Sequence, residues 1–414
     1  MCLGEARPIV SAVSESDRVE VRGSAVSESD RVEVRGSAIS REASDATQQG
    51  GTMGFTCGLV GLPNAGKSTI FNALANAGAR IESYPFCTIE ANVGTVFVPD
   101  DRLDRLAKLF PDKEKIPTHL EFIDIAGLVE GANEGEGMGN QFLSEIRAVD
   151  AVLHVVRCFD DPNVAHVAGS VDPSRDIGIV ETELLLKDHE TLQRVAKRLH
   201  QEVKGTDRRA PARAAAWDQL LDGVASGRPI RAMSIDHAIE DLLRETSPLT
   251  AKPCLFVANL GDEGCDTYAA AVAQAAQDRG TEAIAIRGRL EAEIADVAAT
   301  SQERATYLRE YGLERTGLDA LVQAGYRLLD LITFFTFEGP EVRAWTVPRG
   351  TKAPDAGGKI HSDFAERFVT AEVMQLEELL EAGSEKPLRD AGKLHRCGHD
   401  YVVSDGDVIR FVCA

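Results

Sequence analysis

The sequence has no apolar run approaching the roughly 20 residues that a membrane-spanning helix needs, so it offers no helical membrane anchor. The first twenty residues carry charge and lack an apolar h-region, so no secretory leader is expected. Positive charge is in deficit: 45 Lys and Arg stand against 66 Asp and Glu, a formal net charge of −21. Nonspecific phosphate binding needs clustered cations, so a general nucleic-acid coat is excluded, while a local basic patch is not. Cysteine is sparse and scattered. None of the eight forms C-x-x-C or pairs with His at zinc spacing, which excludes a zinc framework. Cys57, Cys158 and Cys254 lie in apolar runs and read as small core residues, whereas Cys87 falls in a loop open to redox chemistry. A reducing cytoplasmic compartment is expected.

What is present is an ordinary globular composition, 43% hydrophobic over 414 residues, enough for two or three domains. Residues 1–52 differ from the rest. The segment AVSESDRVEVRGS at 12–24 returns unchanged at 25–37, too short a repeat for a solenoid. Rich in Ser and charge and poor in large apolar side chains, this stretch is expected to be a disordered, dispensable extension.

From residue 55 onward, short apolar runs alternate with helical patterns. FTCGLVGL, HLEFIDIAG, DAVLHVVRCF, KPCLFVANL and EAIAIRG read as five strands, the third with the unbroken apolarity of a buried parallel strand. The alternation predicts an α/β fold, a doubly wound and mostly parallel sheet with ligands at the carboxyl ends of its strands, over about 53–330. A helical insert interrupts it at about 180–247. Leu185, Leu192 and Leu199 recur every seven residues with His189, Ala196 and Val203 interleaved, and KGTDRRAPAR (204–213) would form a tip before WDQLLDGV starts the return helix. An antiparallel two-helix arm and a plain helical pair packed on the core are both open. In residues 331–414, FVTAEVM, YVVSDGD and VIRFVCA read as short strands around one helix, a small α+β module.

Three motifs carry chemistry. In GLPNAGKST, Gly61-x4-Gly66-Lys67-Ser68 lies between a strand and a helix, as a phosphate-binding loop requires. Its glycines let main-chain N–H groups curl around phosphates, and the helix N-terminus adds partial positive charge. Lys67 would reach the β- and γ-phosphates, and Ser68 would ligate Mg²⁺. In DIAGLVEGANEGEG, Asp124 ends a strand and would act on Mg²⁺ through water, while the N–H of Gly127 would sense the γ-phosphate. Thr88, in YPFCTIE between the two motifs, is placed to complete the Mg²⁺ shell. The third motif, Asn259-Leu260-Gly261-Asp262, stands where GTPases of this architecture carry N-K-x-D. Asn259 and Asp262 are kept and Leu260 replaces the lysine, so the base is ambiguous on these residues alone.

Together, MGFTCGLVGLPNAGKSTIFNALANAG, YPFCTIEANVG, DIAGLVEGANEGEGMGNQFLSEIR, HVVRCF and HDYVVSDGDVIRF resemble the Obg-like ATPase family, over Met53–Ala414. The resemblance implies a P-loop nucleotide-binding domain, an inserted helical coiled-coil arm and a C-terminal TGS (β-grasp) domain. It implies hydrolysis of ATP in preference to GTP. The phosphate site falls on Asn64, Ala65, Gly66, Lys67, Ser68 and Thr69, and Mg²⁺ on Ser68 and Thr88. Asn259 and the backbone of Leu260 would meet the base. Family members commonly carry N-x-x-E there, so Asp262 departs toward the guanine pattern. The implied partner is the ribosome, its large subunit in particular, with the arm and TGS domain as faces for rRNA or tRNA. The arm tip offers Lys204, Arg208, Arg209 and Arg213, which read equally as a solvated hairpin tip.

The residue after Gly127 is Leu128, where signalling GTPases place a water-orienting Gln. The polar contact must come from elsewhere. One candidate is K⁺ held by Asn64 beside the phosphates, acting as an arginine finger does elsewhere. The other is His166 in DDPNVAHV, at a position that carries His in the family. Three functions follow: an ATPase switch on the translation machinery, a GTPase of the wider Obg group, or a nucleotide-gated binding module whose hydrolysis is incidental.

Overall fold

The computed structural model describes residues 54–78, 92–125, 138–261, 266–297 and 315–414. The 1–52 extension, Cys87, Thr88, Gly127, Leu128 and Asp262 lie outside them.

In chain order the first region runs β1 (Thr56–Val60), α1 (Lys67–Gly78), β2 (Asn92–Phe97), α2 (Asp101–Leu109), β3 (Glu114–Ile116), β4 (His119–Asp124), α3 (Met138–Ala148) and β5 (Ala151–Cys158). It continues with α4 (Pro173–Glu202), α5 (Ala210–Ala225), α6 (Glu240–Thr246), β6 (Cys254–Leu260), α7 (Asp266–Asp278), β7 (Glu282–Ile286) and α8 (Gly288–Val297). Six strands form one sheet in the order β2-β4-β1-β5-β6-β7. The five expected strands are all parallel, and β2, which the sequence reading passed over, adds an antiparallel edge. Central β5 is buried at every position, including the polar His154 and Arg157 in an otherwise apolar run. Helices cover both faces. Ile70, Phe71 and Leu74 of α1 pack with Leu318 and Leu321 of the helix Gly317–Leu328 on one side. Ile146 of α3, Ile177, Val180 and Leu184 of α4, and Val272 of α7 pack on the other.

The insert divides its loyalties. The first half of α4 belongs to the sheet's core, whereas Leu192, Ala196 and Leu199 of its second half form a separate core with Trp217, Leu220 and Val224 of α5. The indole N–H of Trp217 donates to Leu192 O at 3.0 Å. The return helix begins at Ala210, ahead of the expected WDQLLDGV, with Pro211 in its first turn. Of the proposed seam, Leu185 and His189 are half-buried and Val203 is exposed. Buried Glu181 of α4 takes ion pairs from both Arg231 and Arg279, so the root of the insert is tied to the end of α7.

The C-terminal region builds a second six-stranded sheet from β8 (Leu331–Thr336), β9 (Glu341–Pro348), β10 (Phe368–Gln375), β11 (His395–Cys397) and β12 (Asp407–Cys413), in the order β11-β10-β12-β8-β9-β3. YVVSDGD, expected as a strand, is a turn instead. Asp407 takes the Ser404 N–H and the Tyr401 hydroxyl, and only Val402 makes a single bridge, to Lys352. Where one helix was expected, Ala353–Ile360 and Ser362–Glu366 lie on one face and Leu376–Ala382 and Glu385–Asp390 on the other.

The sixth strand, β3, comes from the first region. It pairs in parallel with β9, and Glu114 N donates to Pro340 O at 2.9 Å. Leu103 and Leu106 of α2 enter the C-terminal core beside Phe335, Phe337, Met374 and Leu379. The segment joining β2 to β4 is thus a clip that closes the edge of the second sheet and covers its face. Leu106 is fully buried there. Leu106→Ala is expected to destabilise the protein by about 2–5 kcal/mol, read as the shift in a urea unfolding curve; a change within about 0.5 kcal/mol, the usual range for surface sites, would contradict the clip.

Candidate functional site: a phosphate loop at the sheet's carboxyl edge

β1 ends beside β5, and the chain must turn at once into α1. Gly61 makes that possible: a Cβ there would lie 2.3 Å from Val155 O. Asn64 (φ 61°) and Gly66 (φ 95°) then take left-handed backbone that Asn and Gly adopt most readily. At Gly66 a Cβ would stand 2.0 Å from the Asn259 amide nitrogen. The loop is therefore wound as tightly as the neighbouring strands allow.

Lys67 opens α1 and is buried. Its ammonium folds back to donate to Gly61 O at 3.0 Å and Leu62 O at 3.1 Å, closing the loop on itself. Burial pulls its pKa below the ordinary lysine value, against the opposing pull of Asp124. An ammonium held by carbonyl dipoles alone, in a site that disfavours its charge, is matched to an incoming polyanion. Ser68 and Thr69 in the first turn of α1 are exposed beside it.

The parallel register of β1 and β4 sets Leu59 opposite Asp124, which brings the carboxylate to the loop. Ser68 Oγ donates to Asp124 Oδ2 at 2.7 Å. A hydroxyl and a carboxylate at that distance suit Mg²⁺, a hard cation that takes few protein oxygens and completes its shell with phosphate and water. Among the described residues no cluster of three or more His, Cys, Asp or Glu could hold a metal ion.

Asn259 ends β6 as a buried bracket. Its Nδ2 donates to Ala65 O at 2.9 Å, and its Oδ1 accepts Gly288 N at 3.0 Å. The phosphate loop is thereby fixed to the start of α8. Leu260 follows at the mouth, paired in register with Cys158. The structure thus brings together Asn64, Ala65, Gly66, Lys67, Ser68, Thr69, Asp124, Asn259 and Leu260; Thr88, Gly127 and Asp262 fall outside the described residues.

His166 reaches the same edge by a different route. Arg157, buried at the end of β5, donates to the carbonyls of Phe159, Val164 and Ala165 and so shapes the loop that carries it. Asn64 Nδ2 donates to Ala165 O at 3.0 Å, joining that loop to the phosphate loop. His166 itself is bonded to Asp176. Sequence reasoning missed Arg157 and Asp176. A lone arginine closing an otherwise apolar strand signalled the first, whereas Asp176 looked like any acid in a helix's first turn.

The fold and loop define a P-loop nucleoside triphosphatase with a helical insert and a C-terminal β-grasp module. Residues 56–202 match the 50S ribosome-binding GTPase family, MMR_HSR1. Residues 331–414 match YchF-GTPase_C, described as a protein of unknown function, DUF933. The ribosome-binding ATPase YchF of Escherichia coli O157:H7 is 43% identical over 362 residues, 87% of this chain and 99% of that protein. Its Bacillus subtilis (strain 168) counterpart is 44% identical over 364 residues, with the same coverage. The solved YchF GTPase of Schizosaccharomyces pombe is similar at a TM-score of 0.77 and 32% identity, over 88% of this chain and 99% of that one. This chain belongs to the YchF family.

His154, on β5 below the loop, is fully buried with its ring edge-on to Phe256 at 5.4 Å. Burial, helped by the charges of Arg231, Lys67 and Arg279, lowers its pKa from 6.5 to about 3. Between those values the unfolded chain holds a proton that the folded chain refuses, so stability falls as pH falls through that window. A His154→Gln variant is expected to lose that part of the acid sensitivity, a slope of about 1.4 kcal/mol per pH unit, in denaturant melts from neutral to acid pH. An unchanged slope would contradict it.

Proposed function

We propose that this chain is a cytoplasmic, ribosome-associated ATPase that hydrolyses ATP to ADP and phosphate and uses the exchange as a switch in translation or stress response. The observation that carries the reading is the closed loop around Lys67, with Ser68 and Asp124 paired beside it, in a chain so similar to ribosome-binding ATPases along its length. Main-chain N–H groups of residues 64–69 and the Lys67 ammonium grip the β- and γ-phosphates. Ser68, Asp124 and Thr88 would hold Mg²⁺, which would supply positive charge beside the phosphates. Gly127 senses the γ-phosphate. Asn259 and the Leu260 backbone meet the base. Large-subunit rRNA or tRNA is met by the arm tip and the C-terminal module.

Leu128 orients no water, and two groups stand in for the missing Gln. Asn64 would hold K⁺, which would supply positive charge beside the phosphates, and the His166 imidazole orients the attacking water. The GTPase reading is kept by Asp262, which ends the base loop as guanine readers do, and by the name of the fission-yeast relative.

Titration with Mg-ATP and Mg-GTP, followed by turnover with and without large ribosomal subunits, separates these readings. The expected result is tighter binding of ATP, turnover raised by the subunits, and higher rates in K⁺ than in Na⁺. His166→Ala should bind ATP normally and turn it over about 10²–10⁴-fold more slowly. Preference for GTP would replace the ATPase reading, and wild-type turnover by His166→Ala would remove the histidine from the mechanism.

A further inference from the structure

Both nitrogens of His166 are already engaged. Ala168 N–H donates to Nδ1 at 3.0 Å, which makes Nδ1 the acceptor and places the ring proton on Nε2. Nε2 in turn donates to Asp176 Oδ2 at 2.8 Å. The two side chains are 7% and 5% exposed. The ring lines a small cavity with Leu62, Pro63, Ala65 and His154, packed against the phosphate loop. A histidine in this state offers no nitrogen to a water.

The carboxylate that holds it is itself held. Arg175 donates to Asp176 Oδ1 from Nε at 3.1 Å and from Nη2 at 2.9 Å. Both residues lie in the first turn of α4, capped by Asp172, and α4 continues unbroken for 30 residues into the arm. The chain between the ring and the helix is exposed at Val167, Ala168, Gly169 and Ser170, and is held by hydrogen bonds from Gly169 N–H to His166 O at 3.0 Å and from Arg175 to Ser170. Residues 164 and 165 stay fixed by Arg157 and Asn64.

We propose that Asp176, fixed by the packing of Ile177 and Val180 on the sheet, is a positioning residue that stores His166 away from the reacting water, and that a partner that displaces the exposed 167–170 loop frees the imidazole. This rests on the reading of His166 given above. A bond to a charged acceptor is roughly twice as strong as one to a neutral acceptor, so removing the charge should move the stored-to-released balance by about tenfold.

The test compares the full chain with Asp176→Asn, His166→Ala and the double variant, for kcat and KM with Mg-ATP, alone and with purified large ribosomal subunits. Asp176→Asn should raise kcat without subunits about 3- to 10-fold, leave KM unchanged, and show correspondingly less stimulation by subunits. In the His166→Ala background it should do nothing. As a readout independent of turnover, ¹⁵N spectra of the free protein should show a protonated Nε2 that exchanges slowly with solvent and that exchanges faster in Asp176→Asn. Should Asp176→Asn not fold, Ala168→Pro deletes the other ring contact from an exposed loop position and should raise kcat in the same way. If His166→Ala is slow but Asp176→Asn is unchanged or slower than the parent, the storage role is overturned and the histidine reading stands. Wild-type turnover by His166→Ala overturns both.

Discussion

The arrangement depends on one constraint: the chain between β1 and α1 must turn within the space that β5 and the Asn259 side chain leave it. Polypeptide does not take that curvature unforced. Gly61 touches the backbone of β5, Gly66 touches the Asn259 side chain, and Lys67 ties the carbonyls of Gly61 and Leu62 together. The ammonium does this at a cost, because burial lowers its affinity for the proton. On the proposed reading, a triphosphate would supply the negative charge that relieves the cost.

Each outlying part of the molecule connects to this loop by a short physical path. Asn259 links it to the end of β6 and the start of α8, where a base would lie. Asn64 links it to the loop of His166, and Asp176 links that ring to the arm helix. On the other flank, β2 and β4 emerge from the clip that completes the C-terminal sheet. That clip lies in the sequence between Thr88 and Gly127, the two residues proposed to meet Mg²⁺ and the γ-phosphate.

Much of this was legible in the sequence because its signals are local. A buried parallel strand reads as a continuous apolar run, and the loop's glycines sit at fixed spacing, so β1, β4, β5, β6, β7 and the phosphate site could be read directly. What was missed is non-local. NVGTVF has no apolar continuity because β2 is an edge strand. EKI is too short to read at all, and only pairing with β9 makes it a strand. YVVSDGD has the β-branched content of a strand, yet Asp407 turns it by accepting Ser404 N and the Tyr401 hydroxyl. Leucines at seven-residue spacing suggested one seam along the insert, whereas α4 changes partners halfway and buries a different stripe in each half. Arg157 and Asp176 have roles fixed by the loop between them, which no spacing rule encodes.

The most direct test of the account is calorimetry of Mg-ATP binding to the intact chain and to Gly66→Ala, with circular dichroism to show that both are folded. The added methyl would sit on the Asn259 amide at a backbone angle that side chains avoid. The account predicts heat of binding for the parent and affinity at least about 100-fold weaker for the variant, some 2.7 kcal/mol. Equal affinity in the two, or no uptake of any purine triphosphate by the parent, would contradict it.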